Sequence, residues 1–156
     1  MPHINELIDY CVETFVVFED KVLLRYHDKY DMWLSVGGHI ELDENPNEAA
    51  VREVKEEVGL DVELCDKLLP FKRKDEEYEE LIPPFFLKIH KISDTHRHIG
   101  MTYFAKSNSD QVIDVGREKS GGWKWMTKED IENATDIDEE IKFYALRALE
   151  ELGSGE

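Results

Sequence analysis

Three glutamates close together carry the strongest chemical signal in the chain: Glu53, Glu56 and Glu57. On a helix, roughly 100° per residue gathers them within one arc of about 100°. Ala50, Val54 and Val58 fall on the opposing side, with Val51 beside them. Clustered carboxylates repel one another, at a few tenths of a kcal/mol for each like-charged i,i+3 or i,i+4 pair. Neutralising Glu57 is therefore expected to leave the metal-free fold unharmed or slightly steadier. A helix that keeps such a cluster is suited to holding a cation. Oxygen donors with no Cys and no close His pair select a hard ion, Mg2+ or Mn2+. Gly37 and Gly38 allow close backbone approach, so a carbonyl or N–H there can reach a ligand or metal. Arg52 sits beside Glu53 and four residues before Glu56, where it can fix one carboxylate and leave other oxygens for metal. Any one of these glutamates alone reads as an ordinary solvated helix face; the arrangement as a whole does not.

The segments around the acids predict the elements that must hold them. Asn45 as cap, Pro46 in the first turn, Glu48 completing a capping box and Gly59 as a stop bound a helix. Residues 10–19 are β-branched and aromatic and read as a strand. Asp20 and Lys21 turn it into a partner at 22–27, and residues 33–36 form a short strand ending at Gly37-Gly38. Strands are also expected at 60–65, 85–92, 99–106 and 123–126. Thr127 and Asp130 start a helical turn, and a last amphipathic helix runs from about 138 to 152 with Ile141, Ala145 and Leu149 on one face. Residues 72–80 and 107–122 read as loops. Hairpin-joined strands mixed with helices predict an α/β (α+β) fold on a mixed sheet.

The 156 residues suit one domain, 1–156, with a frayed tail at 153–156. Cys11 and Cys65 are too far apart for a zinc ribbon and, with no secretory leader in view, read as reduced thiols of a cytoplasmic protein. No run approaches 18 apolar residues, so no membrane span is expected. Against 19 basic residues stand 36 acidic ones, a formal charge of −17. Such a surface repels nucleic-acid backbones and anionic membranes. An anionic small-molecule substrate would need its charge cancelled, and divalent cations do that.

Residues 38–60 resemble the signature of the Nudix hydrolase (MutT-like) superfamily at each of its defining places. These are Gly38, Glu44, Arg52, Glu53, Val54, Glu56, Glu57, Gly59 and Leu60. The first hairpin, the Trp33-Leu34 approach to the glycines and the stretch from Trp125 to Ile131 look like the family too. Val36 departs from it, standing where many members have Pro. The resemblance implies an α/β/α sandwich and metal-dependent hydrolysis of a nucleoside diphosphate linked to another moiety, by water attack on a phosphorus. It implies that Glu53, Glu56, Glu57 and a carbonyl of Gly37 or Gly38 hold Mg2+ (or Mn2+), and that Arg52 and Glu44 are an orienting pair. It suggests Glu118, seven residues before Trp125, as a further catalytic and metal-binding acid. Dimers are frequent in such families, so a homodimer is an expectation. A non-catalytic nucleotide-binding module should show a damaged set of acids, and this set is intact. An RNA-decapping enzyme should carry a basic patch, which the charge argues against.

Other residues read more simply. His96 and His98 alternate at a strand start, but no third nitrogen or sulfur ligand is evident, so a loop or substrate-edge role outranks zinc. His39 reads as a strand residue. Trp33, Phe71, Phe104 and Trp123 could stack on a base, but each alone reads as core.

Overall fold

The structure, a computed structural model, describes residues 3–113 and 120–154. Its centre is β1, Ile8–Phe18, whose β-branched and aromatic residues suit a strand buried on both faces. Glu19, at a φ of 55°, begins the turn into β2, Lys21–His27, which pairs antiparallel at Val17↔Val22. The expected single strand at 33–36 is two. β3, Met32–Leu34, pairs with β2, and β4, Val36–His39, pairs with β1, so Gly37 and Gly38 lie within a strand.

α1, Pro46–Val58, forms as expected. Asn45 and Glu48 make a reciprocal capping box, and Gly59 ends the helix at a φ of 72°. β5, Val62–Leu64, and β6, Phe86–Lys91, pair antiparallel with β7, Arg97–Ser107. β7 runs parallel to β1 from Ile8↔Arg97 to Val17↔Lys106, which makes the sheet mixed. β8, Ser120–Thr127, pairs antiparallel with β2. α2, Lys128–Asn133, is capped by Thr127 and Asp130, and α3, Glu139–Leu152, closes the chain. Residues 72–79 are exposed and Glu80 half-buried, with one isolated bridge between Lys74 and Glu79, as the solvated-loop reading expects.

The two faces of β1 hold two cores. Val12 and Val16 pack with Ala49, Ala50, Val54 and Val58 of α1, joined by Val36, Leu23 and Tyr103. Phe15 and Val17 pack on the other face with Phe104, Leu24, Ile141, Ala145 and Ala148, under α3. This is the period-two alternation of a strand between two helical layers. Truncating Phe15 or Phe104 to Ala would cost about 3–5 kcal/mol. Val51, expected beside the apolar face, is exposed. No helix among the described residues is long and apolar enough to cross a membrane.

Candidate functional site

Where α1 crosses β4, Glu53 meets backbone rather than solvent, whereas Glu56 stays exposed. Glu53 is buried. A Cβ built on Gly38 would sit 2.3 Å from Glu53 Oε1, so only glycine leaves room for the carboxylate there. A Cβ on Gly37 would instead meet the carbonyl oxygen of Val12 at 2.3 Å, on the other face of the strand. The two glycines thus do different work. Gly38 makes a cradle for a carboxylate, and Gly37 lets β4 lie against β1.

Arg52 organises the acids around this cradle. Its Nε donates to Glu44 Oε2 at 2.8 Å and its Nη2 to Glu44 Oε1 at 2.6 Å, a two-point grip. Its Nη1 reaches Glu53 Oε1 at 3.1 Å and Glu56 Oε2 at 3.0 Å, and its Nη2 also donates to the His39 carbonyl at 3.0 Å. Glu44 is held below the ordinary carboxylate range, chiefly by the Arg52 hydrogen bonds. Glu53 is pushed above it by burial, which outweighs the lowering by Arg52. Arg52 is held protonated still more firmly than a free arginine, first by Glu44.

Glu57 turns to a partner that the sequence reading missed. Arg25 Nη1 of β2 donates to its Oε2 at 3.1 Å, both side chains being largely buried. The expected mutual repulsion of the acids is therefore screened, because Glu53 and Glu56 share Arg52 and Glu57 has Arg25. Neutralising Glu57 is not the relief first expected, since it would strip Arg25 of a charged partner. Nothing local in sequence announces Arg25; its place comes from the β1–β2 hairpin. Its guanidinium also lies 5.8 Å from the ring centroid of Trp123.

The donor set fits a hard divalent ion. It consists of carboxylates at the end of a glycine-made cradle, one of them buried and raised in pKa by burial, which a cation would reverse. As the side chains stand, however, the groups of three or more possible ligand atoms within 4.8 Å of one another, among the described residues, lie elsewhere. Glu118 lies outside the described residues.

The aromatic candidates divide. Phe104 is fully buried in the core and offers no face to a base. Trp33 is half-buried against the α3-side core, with Nε1 donating to Asp136 at 3.0 Å. Phe71 is exposed. Trp123 is part-buried beside Arg25.

The histidines require a correction. His96, in the loop just before β7, is buried, and possible ligand atoms not evident in sequence lie close by: the β4–β1–β7 pairing brings Asp9, Cys11 and His39 toward His98, and His3, ahead of β1, lies 3.2 Å from Asp9. Asp9, fully buried, is the hub. Burial would raise its carboxyl, but the N–H groups of Asn5 and Ile4 and the nearby His39 outweigh that and hold it at about 2. Burial, with Asp9, Glu13 and Glu53 nearby, pushes the Cys11 thiol up to about 12.

A capped helix whose acids look across a glycine strand, gripped by an arginine, matches one family. The NUDIX domain model covers residues 12–147, and the chain belongs to that family. A solved NUDIX-family hydrolase from Clostridium perfringens is 35% identical with a TM-score of 0.78, the match covering 94% of this chain and 98% of that one. Diphosphoinositol polyphosphate phosphohydrolase 2 of Mus musculus is 40% identical over 65 residues, covering 41% of this chain and 36% of that protein. The m7GpppN-mRNA hydrolase NUDT17 of Danio rerio is 32% identical over 88 residues, covering 54% of this chain and 26% of that protein. The chain therefore matches well under half the length of these two curated relatives.

Proposed function

We propose that the chain hydrolyses the pyrophosphate bond of a nucleoside diphosphate linked to another moiety, using Mg2+ or Mn2+. The observation that supports this reading is the acid set of α1, intact at Glu53, Glu56 and Glu57, with Glu53 seated against Gly38. In this reading the three glutamates, with a carbonyl of Gly37 or Gly38, hold the ions. When bound, the ions screen the substrate's charge and make water a better nucleophile. Arg52, locked by Glu44, keeps Glu53 and Glu56 from turning away and ties them to the His39 carbonyl. Arg25 restrains Glu57 from the sheet side. Water oxygen joins one phosphorus, the P–O–P bond breaks, and the bridging oxygen leaves with the other phosphorus, giving two phosphorylated products.

A cytoplasmic setting is part of this reading, supported by the free thiols Cys11 and Cys65; a homodimer is its expected assembly, read from the family resemblance. The named relatives widen the substrate panel. Nucleoside diphosphate derivatives, capped dinucleotides and diphosphoinositol polyphosphates should be incubated with Mg2+ in heavy-oxygen water and both products weighed. Label in a phosphate product, abolished by chelator, is the expected result. Full turnover after exhaustive metal removal, or label on a sugar carbon, would sink the reading. Tight nucleotide binding with no turnover of any panel member would favour a binding module instead.

A further inference from the structure

We propose a second metal site, of a different chemical class, on the opposite face of the sheet from the α1 acids: a four-ligand Zn2+-type centre formed by His3, Asp9, His96 and His98. It is independent of the hydrolase reading. β4 makes the geography plain. Gly38 faces α1, so the next residue, His39, faces the other way. There it joins Asp9 and Cys11 of β1 and His98 of β7, in the register Cys11↔His39 and Asp9↔His98.

The distances suit a coordination sphere. Zn–N bonds of about 2.0–2.1 Å arranged tetrahedrally put neighbouring ligand atoms about 3.3–3.4 Å apart. Here His3 Nδ1 lies 3.2 Å from Asp9 Oδ2, His96 Nε2 lies 3.4 Å from the same oxygen, and His98 Nε2 lies 3.4 Å from His3 Nδ1. All four ligand atoms fall within 4.8 Å of one another.

The protons argue for a cation. His96 Nδ1 is 3.0 Å from the Glu6 carbonyl, which can only accept, so that nitrogen carries the hydrogen. In a neutral ring Nε2 then presents a lone pair, the tautomer that a metal-binding histidine adopts when its other nitrogen is held by a carbonyl. This lone pair is buried and points near the Asp9 carboxylate without a hydrogen bond. Two buried acceptors facing each other at 3.4 Å are unfavourable unless a positive charge lies between them. His39 Nε2 lies 3.1 Å from the same Asp9 oxygen, so a third imidazole borders the cluster.

Three nitrogens and one carboxylate oxygen favour Zn2+ over Mg2+, which seeks an octahedron of oxygens. The site would join segment 3–7 to β1 and β7, continuing the grip that Asp9 already has on the Ile4 and Asn5 N–H groups at 3.1 and 2.6 Å.

The 156-residue chain, stripped with chelator, is titrated with Co2+ in the presence of excess Mg2+, which occupies oxygen-only sites. One equivalent should develop the intense visible bands of four-coordinate cobalt, and one equivalent of Zn2+ should bleach them. His98→Gln and His3→Gln, at the less buried ligands, should keep the native circular dichroism and abolish the bands, weakening Zn2+ binding by about 100-fold or more. Glu56→Gln should keep the bands. Pale six-coordinate spectra, no stoichiometric binding, or bands unchanged in both histidine variants would overturn the proposal.

Discussion

The two faces of β4 treat charge in opposite ways. On the α1 face, acids predominate and arginines restrain them: Arg52 spans Glu44, Glu53 and Glu56, and Arg25 holds Glu57. On the other face, histidines predominate around one carboxylate, and the buried His96 Nε2 lacks a hydrogen bond. The first face carries its own counter-charges, covalently part of the chain. The second is held by hydrogen bonds to the Asp9 carboxylate but leaves Asp9 and His96 facing each other. In the proposed function, a cluster braced by its own cations would trade part of that bracing for a soluble ion. A cluster with inward lone pairs is suited to a resident ion.

The sharpest way to break this comparison is Glu57→Gln. Turnover should fall by about 10²–10⁴ if the residue is a positioned catalytic group. In chelator the same variant should lose about 1–2 kcal/mol, because Arg25 is left without that charged partner. A rate assay and a urea titration measure the two. Full activity would remove Glu57 from the site, and a metal-free gain in stability would mean that repulsion outweighs the Arg25 pair.

Arg52→Ala tests the brace. Glu44 and Glu53 are both largely buried, so their loss of a shared cation should cost roughly 3 kcal/mol in chelator. Added Mg2+ should restore part of that stability, since it binds the native state alone. Chemical denaturation with and without Mg2+ reads the difference, and an unaltered midpoint in chelator would show the brace to be idle.

The adjacent glycines sharpen the comparison further. Gly37→Ala drives a Cβ into the Val12 carbonyl and should destabilise by about 1–3 kcal/mol. Gly38→Ala drives it into the Glu53 carboxylate, a movable side chain, and should reduce Mg2+-dependent turnover more than stability. Equal losses of stability would mean that Glu53 cannot move aside.

The smallest effect is one of pH. Burial, with His39, His96, His3 and His90 nearby, holds the His98 imidazole down at about 4. The unfolded chain takes up that proton below about 6.5, while the folded chain resists until about 4. Stability is thus fully present above pH 6.5 and is lost progressively as pH falls to 4. Asp9 acts in a lower window, between its ordinary value and about 2. In chelator, His98→Gln should flatten the slope between pH 6.5 and 4; an unchanged slope would assign it to His39 and other groups.

What could be read in advance follows the range of the interactions. The helix α1 was legible because its signals are local: Asn45, Pro46, Glu48 and Gly59 act on their own neighbours. The acids were legible by spacing, but not the burial of Glu53, which depends on a strand passing beneath it. Arg25 lies 32 residues from Glu57 and was missed. The division of 33–36 into two strands depends on which partner each half finds, β2 or β1. The histidine cluster was the least legible part. His96 and His98 stand out in sequence as a pair, but Asp9 and Cys11 reach them through the parallel pairing of β1 with β7, from Ile8↔Arg97 onward, and His39 through β4. Alternation along one strand gives a facing direction and says nothing of which other strand lies beside it.

The four residues of β4 have a consequence for how this chain can change over time. Gly38 looks one way and His39 the other, and both depend on their alignment against Val12 and Cys11. A single insertion or deletion between Val36 and His39 would exchange the two outlooks, sending an imidazole toward α1 and a bare backbone toward Asp9. Drift in length is therefore closed to this stretch, whereas the exposed 72–79 segment can lengthen freely. New substrate preferences have room to arise in such loops, while β4 keeps the same count of residues.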